Sequence, residues 1–405
     1  MDKKSLPSKV SYLMQDRKQW LELPFPMEEY ENRIARLRSS LVEQQLDAYL
    51  VYGNLEQMGN VTWIANYDPF KGNAFVLVPG EGPLVLVTDS IFHNEPMHAE
   101  VWETWIEDIR AGLHPRFASR MSAMTSLDQL AGLLHERRLD SAKIGLVGED
   151  SIPHWVMNGL KDAFPQVNWA ASTEAYLRVK AVKSAREVQK MREVARMGAA
   201  GIRAFNDHLR PGITEGELAG KIADAIFAAG AQTLYKQLAL VGGPRSGFKH
   251  VHPGHRKFEK GDMVFTDIGG RYHGYLTDQS TCVTVGPPTA EQRAFMEAGK
   301  QMFVASFGAI KAGVPIGEVY ATGQRVAQEM GFGDYTFGMG HGIGTIHAEL
   351  PRIVRQSELL LEENMIFALE PMLIKTDFGC ATYENQVLVK KDGAELLGDW
   401  ELPKF

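Results

Sequence analysis

Two stretches of this chain carry matched acidic residues about a hundred positions apart, and that repetition limits what the chain can fold into. "VFTDIGGRYHGYLTDQST" (264–281) reads as a strand, a Gly-containing turn and a second strand. Asp267 and Asp278 stand equally far from a turn centred between Tyr272 and His273. "MIFALEPMLIKTDFGCATYENQVLV" (365–389) repeats the design, with Glu370 and Glu384 on either side of Asp377. Glu370 follows Asp267 by 103 residues, and Glu384 follows Asp278 by 106. An upstream echo, "LRPGITEGEL" at 209–218 and "IKAGVPIGEV" at 310–319, has an offset of 101. The simplest reading is an internal duplication: two helix–helix–hairpin halves, each placing an acidic pair on its sheet.

Carboxylates that face each other across a hairpin repel. They are tolerated when solvated on an exposed sheet face, when they share a proton, or when a cation lies between them. The flanking runs "MVFTDIG" and "MIFALEPML" are apolar. Buried unpaired carboxylates are costly, so a cation is the economical explanation. "FGMGHGIGTIHAELP" (337–351) adds His341, set among glycines that let the backbone come close to a site. A phosphate loop would need a Gly-Lys-Ser/Thr signature, which is absent. Four carboxylates and an imidazole suit two divalent ions bridged by carboxylates and a water. Such a donor set favours manganese, with cobalt, iron(II) or zinc as alternatives. An ion pair of this kind makes hydroxide available near neutral pH and polarises a carbonyl.

The rest of the chain supplies a frame for that site. Residues 27–175 alternate helical and strand-like segments, from "MEEYENRIARLRSSLVEQQL" and "DAYLVYG" to "KIGLVG" and "IPHWVMNGLKDAF", which reads as an α/β domain. A new unit follows, with capping boxes predicted at Ser184/Glu187, Thr214/Glu217 and Thr289/Gln292; the last heads a helix expected to reach about Lys311. A net charge of -7 and a pI near 6.0 argue against a general binder of nucleic acid or membrane surfaces. Two cysteines, Cys282 and Cys380, give no disulfide framework and fit a reducing, cytoplasmic compartment; both read as small buried residues. The first residues contain no apolar core of a signal peptide, and no apolar run reaches membrane-spanning length.

At these residues the chain resembles the metal-dependent pita-bread family, which includes methionine aminopeptidase, aminopeptidase P, prolidase and creatinase. The resemblance implies an α/β creatinase-type N-terminal domain (1–175) and an α+β pita-bread domain (176–405) with an internal pseudo-two-fold duplication. It also implies the ligand set Asp267, Asp278, His341, Glu370 and Glu384 for two divalent ions, manganese favoured. By the same resemblance Glu370 shuttles a proton, His250 faces the substrate, and His347 stabilises a tetrahedral intermediate. Glu349 keeps its place near the substrate. His252 and His255 read as surface residues. His347 stands one residue earlier than in the family, with Ala348 in its usual position, and Thr281 and Thr382 stand where arginines are usual.

The implied activity is hydrolysis of short peptides, Xaa-Pro dipeptides or aminopeptidase substrates foremost. The alternative is a relative acting on a small metabolite, as a C–N bond hydrolase or a lyase of a betaine-like compound. A partner-binding module without catalysis is a third class, but such relatives lose the metal ligands that this chain keeps. The resemblance further implies a homodimer, no nucleic-acid or membrane partner, and an N-terminal domain near the substrate, for which Trp63 and Tyr67 are candidates.

Overall fold

Apolar residues at helical spacing ahead of "DAYLVYG" become a helix and a buried strand in the computed structural model, which describes residues 21–69, 72–90, 103–113, 124–235 and 238–403. The chain divides into two units, Met1–Val179 and Lys180–Phe405.

In the first unit, α1 (Met27–Gln44), β1 (Ala48–Asn54), α2 (Gly59–Ala65), β2 (Asn73–Pro79), β3 (Val85–Ser90) and β4 (Asp108–Leu113) are followed by α3 (Ser126–Glu136), β5 (Lys143–Val147), α4 (His154–Ala163), β6 (Asn168–Ala171) and α5 (Thr173–Ala181). The sheet order is β4-β3-β2-β1-β5-β6. Pairing is antiparallel for β1–β2 and β2–β3 and parallel elsewhere. Alternate residues of a strand point to opposite faces. Tyr49 and Val51 of β1 accordingly join one core with Leu37 and Trp63, while Leu50 and Tyr52 join another with Leu130 and Leu160. Burial on both faces explains why β1 reads as a continuous apolar run.

Trp63 and Tyr67 belong to the first of these cores, at 1% and 3% exposure. The Trp63 ring packs edge-on against Tyr176 and under the Arg33 guanidinium, and the Tyr67 hydroxyl meets Thr88 Oγ1. They hold the first unit together. Neither side chain is exposed on this chain, as a substrate contact would require.

The second unit begins with α6 (Ala185–His208) and α7 (Glu215–Ala228), followed by β7 (Thr233–Leu234), β8 (Ala239–Gly242), β9 (Met263–Ile268), β10 (Gly270–Tyr272), β11 (Tyr275–Leu276) and β12 (Gln279–Thr284). The second half repeats the order with α8 (Ala290–Gly308) and α9 (Ile316–Glu329), then β13 (Thr336–Gly342), β14 (Glu349–Arg352), β15 (Ile366–Lys375), β16 (Gly379–Thr382), β17 (Asn385–Lys390) and β18 (Gly393–Leu396). All three expected capping boxes form. The fourth helix start has Pro315 where its echo has Thr214, and no side chain caps it. Helix α8 ends at Gly308, short of Lys311.

The two acidic hairpins differ in register. In the second, Leu369 pairs with Asn385 and Met372 with Thr382, so Glu370 and Glu384 oppose each other as the sequence suggests. In the first, Asp267 pairs with Ser280, not with Asp278. The turn falls on His273 and Gly274, with φ of 49° and 82°, one residue beyond the centre read from sequence. Two consecutive positive φ angles make the tight turn whose twist matches antiparallel strands. Asp278 therefore lies two residues from the position opposite Asp267. The halves are joined where the acids sit: Thr281 bridges to Tyr383, and the Glu384 amide donates to the Ser280 carbonyl at 2.9 Å.

Candidate metal centre

Asp267 stands near the end of β9, Asp278 just ahead of β12, His341 in β13, Glu370 in β15, and Glu384 between β16 and β17. The fold draws these five into one cluster. Asp267, Asp278 and Glu384 offer ligand atoms within 4.8 Å of one another, as do His341, Glu370 and Glu384. Glu384 belongs to both groups. His341 Nε2 lies 3.5 Å from Glu370 Oε1 and 3.7 Å from Asp278 Oδ2.

Burial makes the cluster electrostatically demanding. Asp267, Asp278 and Glu384 are each 1% exposed, and like charges this close cannot all ionise without a cation or a shared proton. Carboxylates and imidazoles are suitable ligands for divalent first-row ions, and no thiolate joins the set. The donors present thus fit two neighbouring divalent ions. His341 is prepared as a neutral ligand. Burial holds its imidazole below the ordinary value against the opposing pull of Asp278. Its Nδ1 lies 3.1 Å from the Gly342 carbonyl, which can only accept, so Nδ1 carries the proton and Nε2 the free lone pair.

His250 sits at the open side of this cluster. Its side chain is 63% exposed, and Nε2 lies 3.9 Å from Asp267 Oδ2. His252 and His255 are exposed and join no metal-type group among the described residues. His347 reaches the cluster despite its early position: Nε2 is 2.5 Å from Asp278 Oδ2, and its ring centroid is 4.5 Å from that of His341. The β13–β14 ladder changes register between His341 and Gly342, pairing them with Arg352 and Glu349. Gly340 beside the bulge has φ +136°, and a Cβ there would collide with the Ala368 carbonyl oxygen.

Glu349 is not in the cluster. Its carboxylate is buried between Lys183 Nζ at 2.7 Å and Lys180 Nζ at 3.1 Å, with side chains no more than 2% exposed. Burial pushes the carboxyl upward, but the two lysines outweigh it and hold the group below its usual range. The position expected near the substrate is instead an anchor for the loop after His341. The sequence reading missed these lysines, whose only signal was two basic residues in the otherwise apolar "VKAVK". It also missed Lys249, whose Nζ lies 2.9 Å from Glu370 Oε2. Burial opposes the charged form of Lys249, and Glu370 with Glu384 more than compensates, raising its pKa.

Neither cysteine is suited to catalysis. Cys282 and Cys380 are buried, and burial pushes the Cys282 thiol up to about 11. Thr281 and Thr382 are fully buried, and their hydroxyls have no hydrogen-bond partner among the described residues.

Comparison with known proteins matches residues 189–391 to the description "Metallopeptidase family M24" and residues 33–188 to "Creatinase/Prolidase N-terminal domain". An Xaa-Pro dipeptidase of Pyrococcus horikoshii is 22% identical over 372 residues, covering 92% of this chain and 98% of its own. "Probable dipeptidase PepE" of Mycobacterium tuberculosis is 32% identical over 262 residues, covering 63% and 68%. Among solved structures, an Xaa-Pro dipeptidase from Bacillus anthracis superposes with a TM-score of 0.79 at 22% identity, covering 92% of this chain and 99% of that one. At that identity the structure speaks for the fold.

Proposed function

The chain belongs to metallopeptidase family M24 and is a metal-dependent hydrolase, and on that premise we propose that it hydrolyses short peptides at the bond before proline. The observation that carries this reading is the convergence of five acidic and imidazole donors from two duplicated halves on one buried point. The names of the relatives add the substrate class: Xaa-Pro dipeptides. Asp267, Asp278, His341, Glu370 and Glu384 would hold two divalent ions, manganese favoured. When bound, these supply a water that is acidic near neutral pH and a Lewis acid for the scissile carbonyl.

The chain's own groups account for the remaining steps. Glu370 is 12% exposed, against 1–2% for Asp267 and Asp278, so it is the acid with access to substrate. It would take the proton of the attacking water and deliver it to the leaving nitrogen, a general-base and general-acid role. His250, at the open side, would donate to the substrate carbonyl. His347 stands beside Asp278, its Nε2 2.5 Å from Asp278 Oδ2, at the edge of the same cluster. Glu349 anchors the loop after His341, which carries His347. The second unit is the catalytic domain in this account. Buried free cysteines fit a cytoplasmic enzyme, and a homodimer follows the family's two-domain members.

A second reading, C–N bond hydrolysis or elimination in a small non-peptide, rests on Thr281 and Thr382. They place uncharged side chains in β12 and β16 where the family has arginines. One set of assays separates the readings: manganese-, cobalt- and zinc-loaded protein on Xaa-Pro dipeptides, tripeptides with proline second, and small amides and betaines. Dipeptide turnover that is lost with chelator and in Asp278→Ala supports the proposal. Metal-bound protein inert on every proline peptide overturns it in favour of the second reading.

A further inference from the structure

We propose that His347 is itself a metal ligand, completing with Asp278 and His341 a third donor group that makes one of the two ion positions rich in nitrogen. The inference rests on the metallohydrolase reading above and specifies its ion selectivity. One donor atom each from Asp278, His341 and His347 lie within 4.8 Å of one another. Ligand atoms bound at about 2.0–2.2 Å to one ion lie roughly 3–4 Å apart, so little adjustment is needed. The His347 Nε2 lies 2.5 Å from Asp278 Oδ2, among the donor atoms themselves.

The surroundings fix the ring where a ligand must be. The Tyr235 ring packs against it with centroids 5.1 Å apart, and the His341 ring lies 4.5 Å away. The loop is held by the Leu276 amide donating to the Gly344 carbonyl at 2.9 Å, and by Glu349 between its two lysines. Gly344 allows that closeness, since a Cβ there would sit 2.7 Å from Glu349 Oε1. The register shift between His341 and Gly342 delivers this imidazole, one residue early in sequence, to the cluster. Rigid preorganisation of this kind is what a ligand position requires.

The consequence is an asymmetric pair of positions. Asp267, Asp278 and Glu384 form an all-oxygen group suited to a hard ion such as manganese. The group containing His341 and His347 favours zinc or cobalt, to which imidazole binds well.

The test is metal binding itself, read by calorimetry with zinc and with manganese and by the visible spectrum of cobalt-loaded protein. Wild type is compared with His347→Ala and His347→Gln. The expected result is two ions in wild type. In both variants one position is unchanged, while zinc at the other weakens at least about 10- to 100-fold, the range in which even a ligand's outer partners act. Manganese weakens less, and the cobalt bands shift. Wild-type affinities and an unchanged cobalt spectrum in both variants, with only turnover reduced, overturn the assignment and return His347 to the substrate side. If His347→Ala fails to fold, His347→Gln decides. Folded wild-type protein that binds no ion refutes the metallohydrolase reading instead.

Discussion

Replacing Glu349 by Gln removes one negative charge from a buried site and leaves its shape intact. Lys180 and Lys183, 2% and 1% exposed, then have no carboxylate at 3.1 and 2.7 Å. Breaking a buried ion pair by removing one partner costs about 3–5 kcal/mol, because the other charge stays buried without compensation. Two lysines share this carboxylate, which favours the upper part of that range. Glu187, buried and bonded to the Tyr275 hydroxyl at 2.7 Å, moderates it through its attraction for Lys180. A loss of about 4 kcal/mol lowers a urea midpoint by roughly 1–2 M for a slope of about 2–3 kcal/mol per molar. Adding Lys183→Met should recover part of the loss, as coupled neighbours do. The pH dependence has a definite sign. The carboxyl is held below its ordinary 4.5 in the folded protein, so its contribution is full above that value and fades as pH falls through the folded value. The gap between wild type and Glu349→Gln should therefore be constant near neutrality and close in acid. Unfolding free energies within about 0.5 kcal/mol of each other at pH 7 would refute the reasoning, because a surface-like residue behaves that way.

Three further outcomes are expected. Lys249→Met removes an ammonium from Glu370 and should tighten manganese binding on the order of tenfold by calorimetry; unchanged or weaker binding would show that the lysine does not compete with an ion. Gly340→Ala, at φ +136° and against the Ala368 carbonyl, should cost about 1–3 kcal/mol in thermal unfolding. Gly338→Ala in the same strand, with open space around it, should cost far less. His250→Ala, at a largely exposed position, should leave stability and the number of bound ions unchanged while lowering kcat/KM about 100-fold.

How much of this was legible in the sequence depends on whether the signal was local. Three capping boxes formed where Ser184, Thr214 and Thr289 precede Glu187, Glu217 and Gln292, because each needs only residues three apart. The second hairpin kept its register since the turn around Asp377 is symmetric between two apolar strands. The turn of the first moved by one residue because it is built on His273 and Gly274, both at positive φ, and not on the symmetric centre between the two acids. The four acids were readable from the duplicated spacing, and His341 from its glycine-rich stretch. That spacing could not show His347 brought in by a bulge, or Lys249 laid against Glu370. Glu349 misled for the opposite reason. Its place in the motif suggested contact with substrate, but what decides its role is a pair of lysines some 170 residues earlier in the chain (183 and 349 are 166 apart).

If the acids of the two matched hairpins are brought together to hold two divalent ions, the purified protein carries that pair. Elemental analysis of protein purified without chelator, repeated after dialysis against manganese, tests it most directly. Two ions per chain, falling to one or none in Asp278→Ala and Glu384→Ala, is the predicted result. Folded wild-type protein that takes up no ion, and whose turnover ignores chelators, would contradict it.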